Sequence, residues 1–314
     1  MSFAFLFPGQ GSQAVGMGKE LAETFPEARA VFEEVDEALG QTLSALMWDG
    51  PESDLTLTAN AQPALMAVSM ATMRVLEARG LKLAETVSYV AGHSLGEYSA
   101  LAAAGSLDVG TAARLLRIRG DAMQSAVPVG KGAMAALLGL EFDEAVKVAE
   151  EAAQGEVCQA ANDNAPGQVV VSGHVAAVER AVEIAKARGA KRAMMLAVSA
   201  PFHCALMASA ADAMADALAN ADIRPPVVPV VVNVLAAPVT DPSELRSRLV
   251  EQVTGTVRWR ESMQWLTSNG VTQFAEIGAG KVLTGMMKRI ERSATAQAVN
   301  SADDIDTLLQ GLSA

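Results

Sequence analysis

The chain is poor in cysteine, aromatic residues, histidine and positive charge, and each shortage removes a class of function. Cys158 and Cys204 are the only cysteines in 314 residues. Two are too few for a disulfide framework, and no Cys-x-x-Cys spacing suggests a zinc site. A reducing, cytoplasmic setting is the default expectation. Aromatic residues make up 4% of a chain that is 51% hydrophobic, so Ala, Val, Leu and Met must fill the core. Against 36 acidic residues stand 24 Lys and Arg, a net charge of −12. That balance argues against nucleic acid or an anionic membrane as the main partner, although a local basic patch is compatible with it. No apolar run is long enough to span a bilayer, because Val227 to Val239 is broken by Pro229, Asn233 and Pro238. The opening run Phe3 to Phe7 is short and lacks a basic flank, so it reads as a first strand and not as a secretory leader.

What the chain does have is Gly92-His93-Ser94-Leu95-Gly96, set between the β-prone run Val87 to Ala91 and a helix-like run to Ala104. By chance, Gly-x-Ser-x-Gly should occur in about one chain in ten of this length. The letters alone therefore decide nothing; the strand before and the helix after do. Two glycines permit a bend too tight for side chains, which lifts a serine hydroxyl to the N-terminus of a helix. There the helix dipole and free N–H groups favour negative charge. This is the nucleophile-elbow pattern.

The rest of the chain alternates strand and helix. Helical spacing runs from Ala28 to Leu39 before Gly40, from Pro63 to Ala78 before Gly80, and from Val109 to Val127. Between residues 129 and 198 the pattern becomes β-α-β-β-α-β, the ferredoxin-like unit. Its strands are Gly132–Leu140, Val157–Ala161, Gln168–Ser172 and Lys191–Val198, and a turn is expected over Asn162 to Gly167. Strands over Val227–Val234 and Val271–Ile277 and helices over Glu244–Val253, Trp259–Thr267, Leu283–Ile290 and Asp303–Leu312 complete the pattern. The fold class expected is α/β. A large body, residues 1–128 and 199–314, holds a mostly parallel sheet, and a small subdomain over 129–198 is inserted in it.

A serine hydroxyl needs a base. Only three histidines are available. His93 adjoins Ser94, and neighbouring side chains at a strand end point to opposite sides. His174 sits at a strand-to-helix turn of the small subdomain, where a solvent or capping role is expected. His203 follows the elbow on a loop after a strand and is the best base. No acid stands out to orient it: Asp212, Asp216, Asp222, Asp241 and Glu276 are all available, and a backbone or amide oxygen can serve instead. Leu95, the residue after the serine, supplies one oxyanion N–H, and the glycine-flanked Gln10 is the natural source of the second. From the residues alone the chain is a serine acyl-transfer enzyme, with hydrolase and transferase both open.

Beyond the elbow, Phe7-Pro8-Gly9-Gln10-Gly11-Ser12-Gln13, Arg119-Gly120 with Met123-Gln124, Asn162 with Ala165-Pro166-Gly167-Gln168-Val169-Val170, Phe202-His203-Cys204-Ala205-Leu206-Met207 and Gly278-Ala279-Gly280-Lys281-Val282-Leu283 occur in order. With these the chain resembles the malonyl-CoA:acyl-carrier-protein transacylase family, nearly end to end. The resemblance implies an α/β-hydrolase-like large part with a ferredoxin-like small one. It implies Ser94 as nucleophile, His203 as base, and Gln10 and Leu95 as oxyanion donors. Arg119 would pair with the malonate carboxylate, and the Gln252 main-chain carbonyl would orient His203. Asn162 would face the cleft from a loop of the small subdomain, and Phe202 would crowd a methyl branch at the acyl C2. Malonyl-CoA is then a substrate and no cofactor is implied. The partner is acyl carrier protein, reached through cations among Arg114, Arg117, Lys191, Arg192, Lys281, Lys288 and Arg289. The role implied is supply of fatty-acid synthesis. Readings kept beside it are a trans-acting polyketide or malonate-decarboxylase acyltransferase, a serine thioesterase, and a non-catalytic carrier-protein-binding module.

Overall fold

A computed structural model describes residues 2–313; residues 1 and 314, the expected ends of the large body, lie outside the described residues. Among the described residues ten strands form two sheets. The first contains β1 (Ser2–Phe7), β2 (Tyr89–Gly92), β7 (Val230–Val232), β8 (Ala237–Val239), β9 (Val271–Ile277) and β10 (Thr295–Val299) in the order β10-β9-β1-β2-β7-β8. All pairs are parallel except β7 with β8. Ala4, Phe5, Leu6 and Phe7 are all buried, as a strand covered on both faces requires. In register, Phe7 faces Gly92, so the loops after β1 and β2 leave the sheet side by side at its carboxyl edge, where open α/β sheets hold ligands.

The second sheet contains β3 (Gly132–Leu138), β4 (Cys158–Ala165), β5 (Gln168–His174) and β6 (Arg192–Met195), antiparallel in the order β4-β5-β3-β6. With the helices Phe142–Ala153 and Val175–Ala187 this is the ferredoxin-like arrangement. Alternation divides its faces. Ala135, Leu137, Val169 and Val171 pack with Val148, Val178 and Ala181 of the two helices. Met134 and Val170 point the other way, toward the first sheet.

Three expectations need correction. Residues 162–165 are strand, not turn: β4 continues to Ala165 through two register shifts, and only Pro166-Gly167 turn. Asn and Asp favour turns by bonding their own backbone. Here their side chains are engaged elsewhere, Asp163 with Arg260 and Asn164 with His93. The strand is also tied across by Asp163 N–H to the Val257 carbonyl and Val257 N–H to the Ala161 carbonyl, both 2.9 Å. The helix read from Pro63 begins at Thr58, because burial of Thr58, Ala61 and Gln62 outweighs the hydrogen bond that Pro63 cannot donate. Strands β8 and β10 were not anticipated; each is short and lies at a sheet edge. Among the described residues no helix is long and apolar enough to cross a membrane.

Candidate active site

The elbow forms because its glycines allow it. A Cβ on Gly92 would lie 1.8 Å from the Gly96 carbonyl oxygen, and one on Gly96 would lie 2.3 Å from that of Phe7. Ser94 between them takes φ +53°, a left-handed conformation that costs a non-glycine residue free energy. Asn233, at the end of β7, holds that strain in place. Its Oδ1 accepts the Ser94 N–H at 2.8 Å and its Nδ2 donates to the Gly92 carbonyl at 2.7 Å.

His203 reaches the serine from the loop that returns from the second sheet. It is also left-handed, φ +57°, and its Nε2 lies 2.7 Å from Ser94 Oγ. Its Nδ1 lies 2.9 Å from the Gln252 main-chain carbonyl, which can only accept. The proton therefore sits on Nδ1, and Nε2 presents a lone pair to the Ser94 hydroxyl. Burial lowers the His203 pKa to about 3, assisted by the positive charge of Arg119 and opposed by the bond to Gln252. The imidazole is thus neutral and able to take a proton. Of the carboxylates left open by the sequence, Asp241 caps the helix Pro242–Thr254, and Glu276 accepts the N–H groups of Leu283 and Thr284. The position at Nδ1 is filled by a carbonyl instead.

Arg119, on the helix Val109–Ala126, is 1% exposed. Its Nη1 donates to Gln62 Oε1 at 2.7 Å, and its Nη2 donates to Gln252 Oε1 at 2.9 Å and to Ser94 Oγ at 3.2 Å. Every one of these partners is neutral. Among the described residues Nε has no partner, and the guanidinium carbon stands 5.8 Å from the centre of the Tyr98 ring. Burial lowers the Arg119 pKa, yet a guanidinium in a protein keeps its charge. A dry cation whose hydrogen-bond partners are all uncharged can pair with a carboxylate that enters the cleft.

These groups line a cleft of about 320 Å³ together with Gln10, Leu95, Asn162, Phe202, Met134 and Met286. Among the described residues neither the Gln10 N–H nor the Leu95 N–H has an acceptor, so both are free to bind an oxyanion. The Gln10 side chain is held from behind: Gln62 donates to Thr58 Oγ1 at 2.8 Å, and Thr58 donates to Gln10 Oε1 at 3.0 Å. Asn162 lines the cleft from a strand and not a loop. His93 faces away from the serine, with Nε2 2.8 Å from Asn164 Oδ1 and its ring against Trp259. His174 begins a helix, and its Nδ1 accepts the Val157 N–H at 3.0 Å. Of the cations named above, Lys281 directly precedes the cleft residues Val282 and Leu283, whereas Arg117 is engaged with Asn60 at 2.7 Å.

Sequence reading missed Gln62, Asn233 and Glu97 as parts of the site. Glu97 stood in the elbow motif; Gln62 and Asn233 carried no local signal, because nothing near them in the chain shows what they touch. Among the described residues no group of three or more His, Cys, Asp or Glu is placed to hold a metal ion.

The pattern of the family described as acyl transferase domain matches residues 4–309. The malonyl CoA-acyl carrier protein transacylase of Bacillus subtilis (strain 168) is 46% identical over 310 residues, covering 98% of this chain and 96% of the relative. That of Escherichia coli (strain K12) is 47% identical over 308 residues, covering 98% and 99%. The crystal structure of an acyl-carrier-protein-S-malonyltransferase from Bartonella henselae superposes with a TM-score of 0.98 at 55% identity, covering all of both chains. A malonyl-transacylase solved with its holo type II PKS acyl-carrier protein gives 0.96 at 46% identity, covering 99% of this chain and 100% of that one.

Proposed function

Because this chain belongs to the malonyl-CoA:acyl-carrier-protein transacylase family, we propose that it moves a malonyl group from malonyl-CoA to the phosphopantetheine thiol of acyl carrier protein through an ester on Ser94. The observation that carries the assignment of Ser94 is that its Oγ meets His203 Nε2 at 2.7 Å and Arg119 Nη2 at 3.2 Å. A base and a carboxylate receptor thus converge on one hydroxyl.

The thioester carbonyl sits against the N–H groups of Gln10 and Leu95. Ser94 Oγ attacks it while His203 Nε2 takes the hydroxyl proton, and the C–S bond to CoA breaks as His203 returns that proton to the thiolate. The carrier-protein thiol then gives its proton to His203 and attacks the malonyl-serine ester, and the serine oxygen leaves with a proton from His203. Two half-reactions through one covalent intermediate give ping-pong kinetics. Arg119 binds the distal carboxylate through paired hydrogen bonds, which selects malonyl over acetyl. Phe202, 8% exposed against the cleft, narrows the space at the acyl C2.

Residues 129–198 are assigned as a small subdomain, an assignment supported by β3 to β6 lying within that range and the other strands outside it. The chemistry as written uses no cofactor. The enzyme is placed in the cytoplasm, supplying fatty-acid synthesis; both cysteines are free and buried, which suits a reducing compartment. Acyl carrier protein is acidic and so is this chain, so docking depends on local cations such as Lys281 at the cleft. Initial rates over a grid of malonyl-CoA and carrier-protein concentrations test the scheme: parallel double-reciprocal lines are expected, and intersecting lines contradict it.

A further inference from the structure

Glu97 is a buried carboxylate for which the reaction scheme has no use. It lies in the first turn of the helix Gly96–Ala103 and is 1% exposed. One oxygen, Oε2, accepts both of its hydrogen bonds: the Asn233 N–H at 2.8 Å and Gln252 Nε2 at 3.1 Å. The far end of the same Gln252 amide, Oε1, accepts Arg119 Nη2 at 2.9 Å. An amide can present its NH₂ to one side and its oxygen to the other, and here an anion and a cation fix which way it points. Glu97 is therefore joined to Arg119 across one side chain.

We infer that Glu97 is a specificity-determining residue, the buried counter-charge of Arg119 while the cleft is empty, and that the acyl carboxylate of malonyl-CoA supplants it by driving a proton onto Glu97. The inference rests on the reading of Arg119 as the carboxylate receptor. Once that carboxylate is bound, two anions share one dry cation, and the cheaper arrangement protonates one of them. The proton comes from solvent and goes to Oε1, since Oε2 keeps its two donors, so Gln252 and Asn233 need not move. Acetyl-CoA brings no second anion and no proton.

The surroundings leave few other candidates. Tyr98, on the same helix, has its phenol pushed up by burial. His203 and His93, beyond Ser94, are both lowered by burial and stay neutral. Strands β1, β2 and β7, which pack on this helix, contain no acidic or basic residue, and the helices Thr58–Ala78 and Val109–Ala126 bring it only Arg119. On the helix Pro242–Thr254, Arg248 pairs at the surface with Glu244 and Glu251. Burial raises the Glu97 pKa to about 7, opposed by Asn233, Gln252 and Arg119, which places the group where a nearby anion can protonate it.

The test is calorimetry of the full chain carrying Ser94→Ala, with malonyl-CoA or acetyl-CoA, in two buffers of different ionisation enthalpy at about pH 8. Both ligands carry the same CoA phosphates, so their contribution cancels. Malonyl-CoA should bind more tightly and take up a proton in part, and acetyl-CoA should take up none. Malonyl affinity should fall by up to about tenfold per pH unit above neutrality, the limit for one linked proton. Adding Glu97→Gln, which keeps an acceptor for Asn233 and Gln252, should abolish the uptake and flatten the pH dependence. Tighter malonyl binding without proton uptake overturns the inference, and that arm needs no change at Glu97. So does uptake that persists in the Gln variant. Equal binding of malonyl-CoA and acetyl-CoA overturns the Arg119 reading and the inference with it.

Discussion

Beneath Ser94 the cleft is polar and tied; above it the cleft is apolar and loosely specified. The floor consists of Asn233, Gln252, Glu97, Gln62 and Arg119, each buried and each hydrogen-bonded to at least one of the others or to the elbow. The roof, from the second sheet and the segments beside it, presents Met134, Val170, Leu196, Val198 and Met286, with Asn162 and Asn164 as its polar members. The contrast follows from what each side must do. The floor holds a strained serine and a dry cation in one geometry, which only directional bonds can enforce. The roof has only to exclude water and accept a flexible arm, which apolar surface does without precise placement. Changes to the floor should therefore cost chemistry or selectivity, and changes to the roof should cost binding.

Arg119→Ala is the sharpest way to break this contrast. It removes one partner of a buried charged pair from the malonyl complex, a loss of about 3–5 kcal/mol. Malonyl transfer should fall by roughly 10²–10⁴-fold in kcat/KM and acetyl transfer by no more than about tenfold, the smaller loss reflecting the contact with Ser94 Oγ. Equal losses on the two donors would remove Arg119 as the selector. Asn233→Ala acts lower in the floor. It strips the Ser94 N–H and the Gly92 carbonyl of their partner, so about 1–3 kcal/mol of stability should go. Malonyl and acetyl transfer should drop by the same factor; a change in their ratio would place Asn233 with substrate selection and not with the elbow.

Protonation probes the floor without mutation. A His203 pKa near 3 means that the base is neutral above that pH, and activity is lost only as the pH falls toward it. Malonyl transfer should hold to about pH 5 in kcat/KM, where a histidine of ordinary pKa would already be mostly protonated. A sigmoidal fall centred near 6.5 would mean that burial does not depress His203. Val170→Ala, in the roof, should raise the KM for malonyl-CoA by only a few-fold and leave the malonyl-to-acetyl ratio unchanged, since about one or two buried methyl groups are lost. A changed ratio would bring the roof into selection and blur the contrast.

The two regions also differed in how readable they were. Ser94 was legible because Gly92 and Gly96 impose their geometry within five residues. The division of the sheets was legible because hydrophobic periodicity is local. Gln62, Asn233 and the side-chain role of Gln252 were not, because their meaning lies in contacts across 57, 139 and 133 residues of chain. The Asn162-Asp163-Asn164 run misled for the same reason: its turn preference is overridden by Arg260, His93 and Val257, all distant in sequence. A polar residue in mid-chain does not reveal whether it bonds to itself, to solvent or to a buried site.

The most direct test of the central claim is the mass of the intact protein after brief exposure to malonyl-CoA, followed by peptide mapping and addition of holo acyl carrier protein. One malonyl adduct on Ser94, absent in Ser94→Ala and discharged by the carrier protein but not by water, is the result expected. An adduct that water alone removes would make the enzyme a thioesterase, and an adduct on any other residue would contradict the assignment of Ser94.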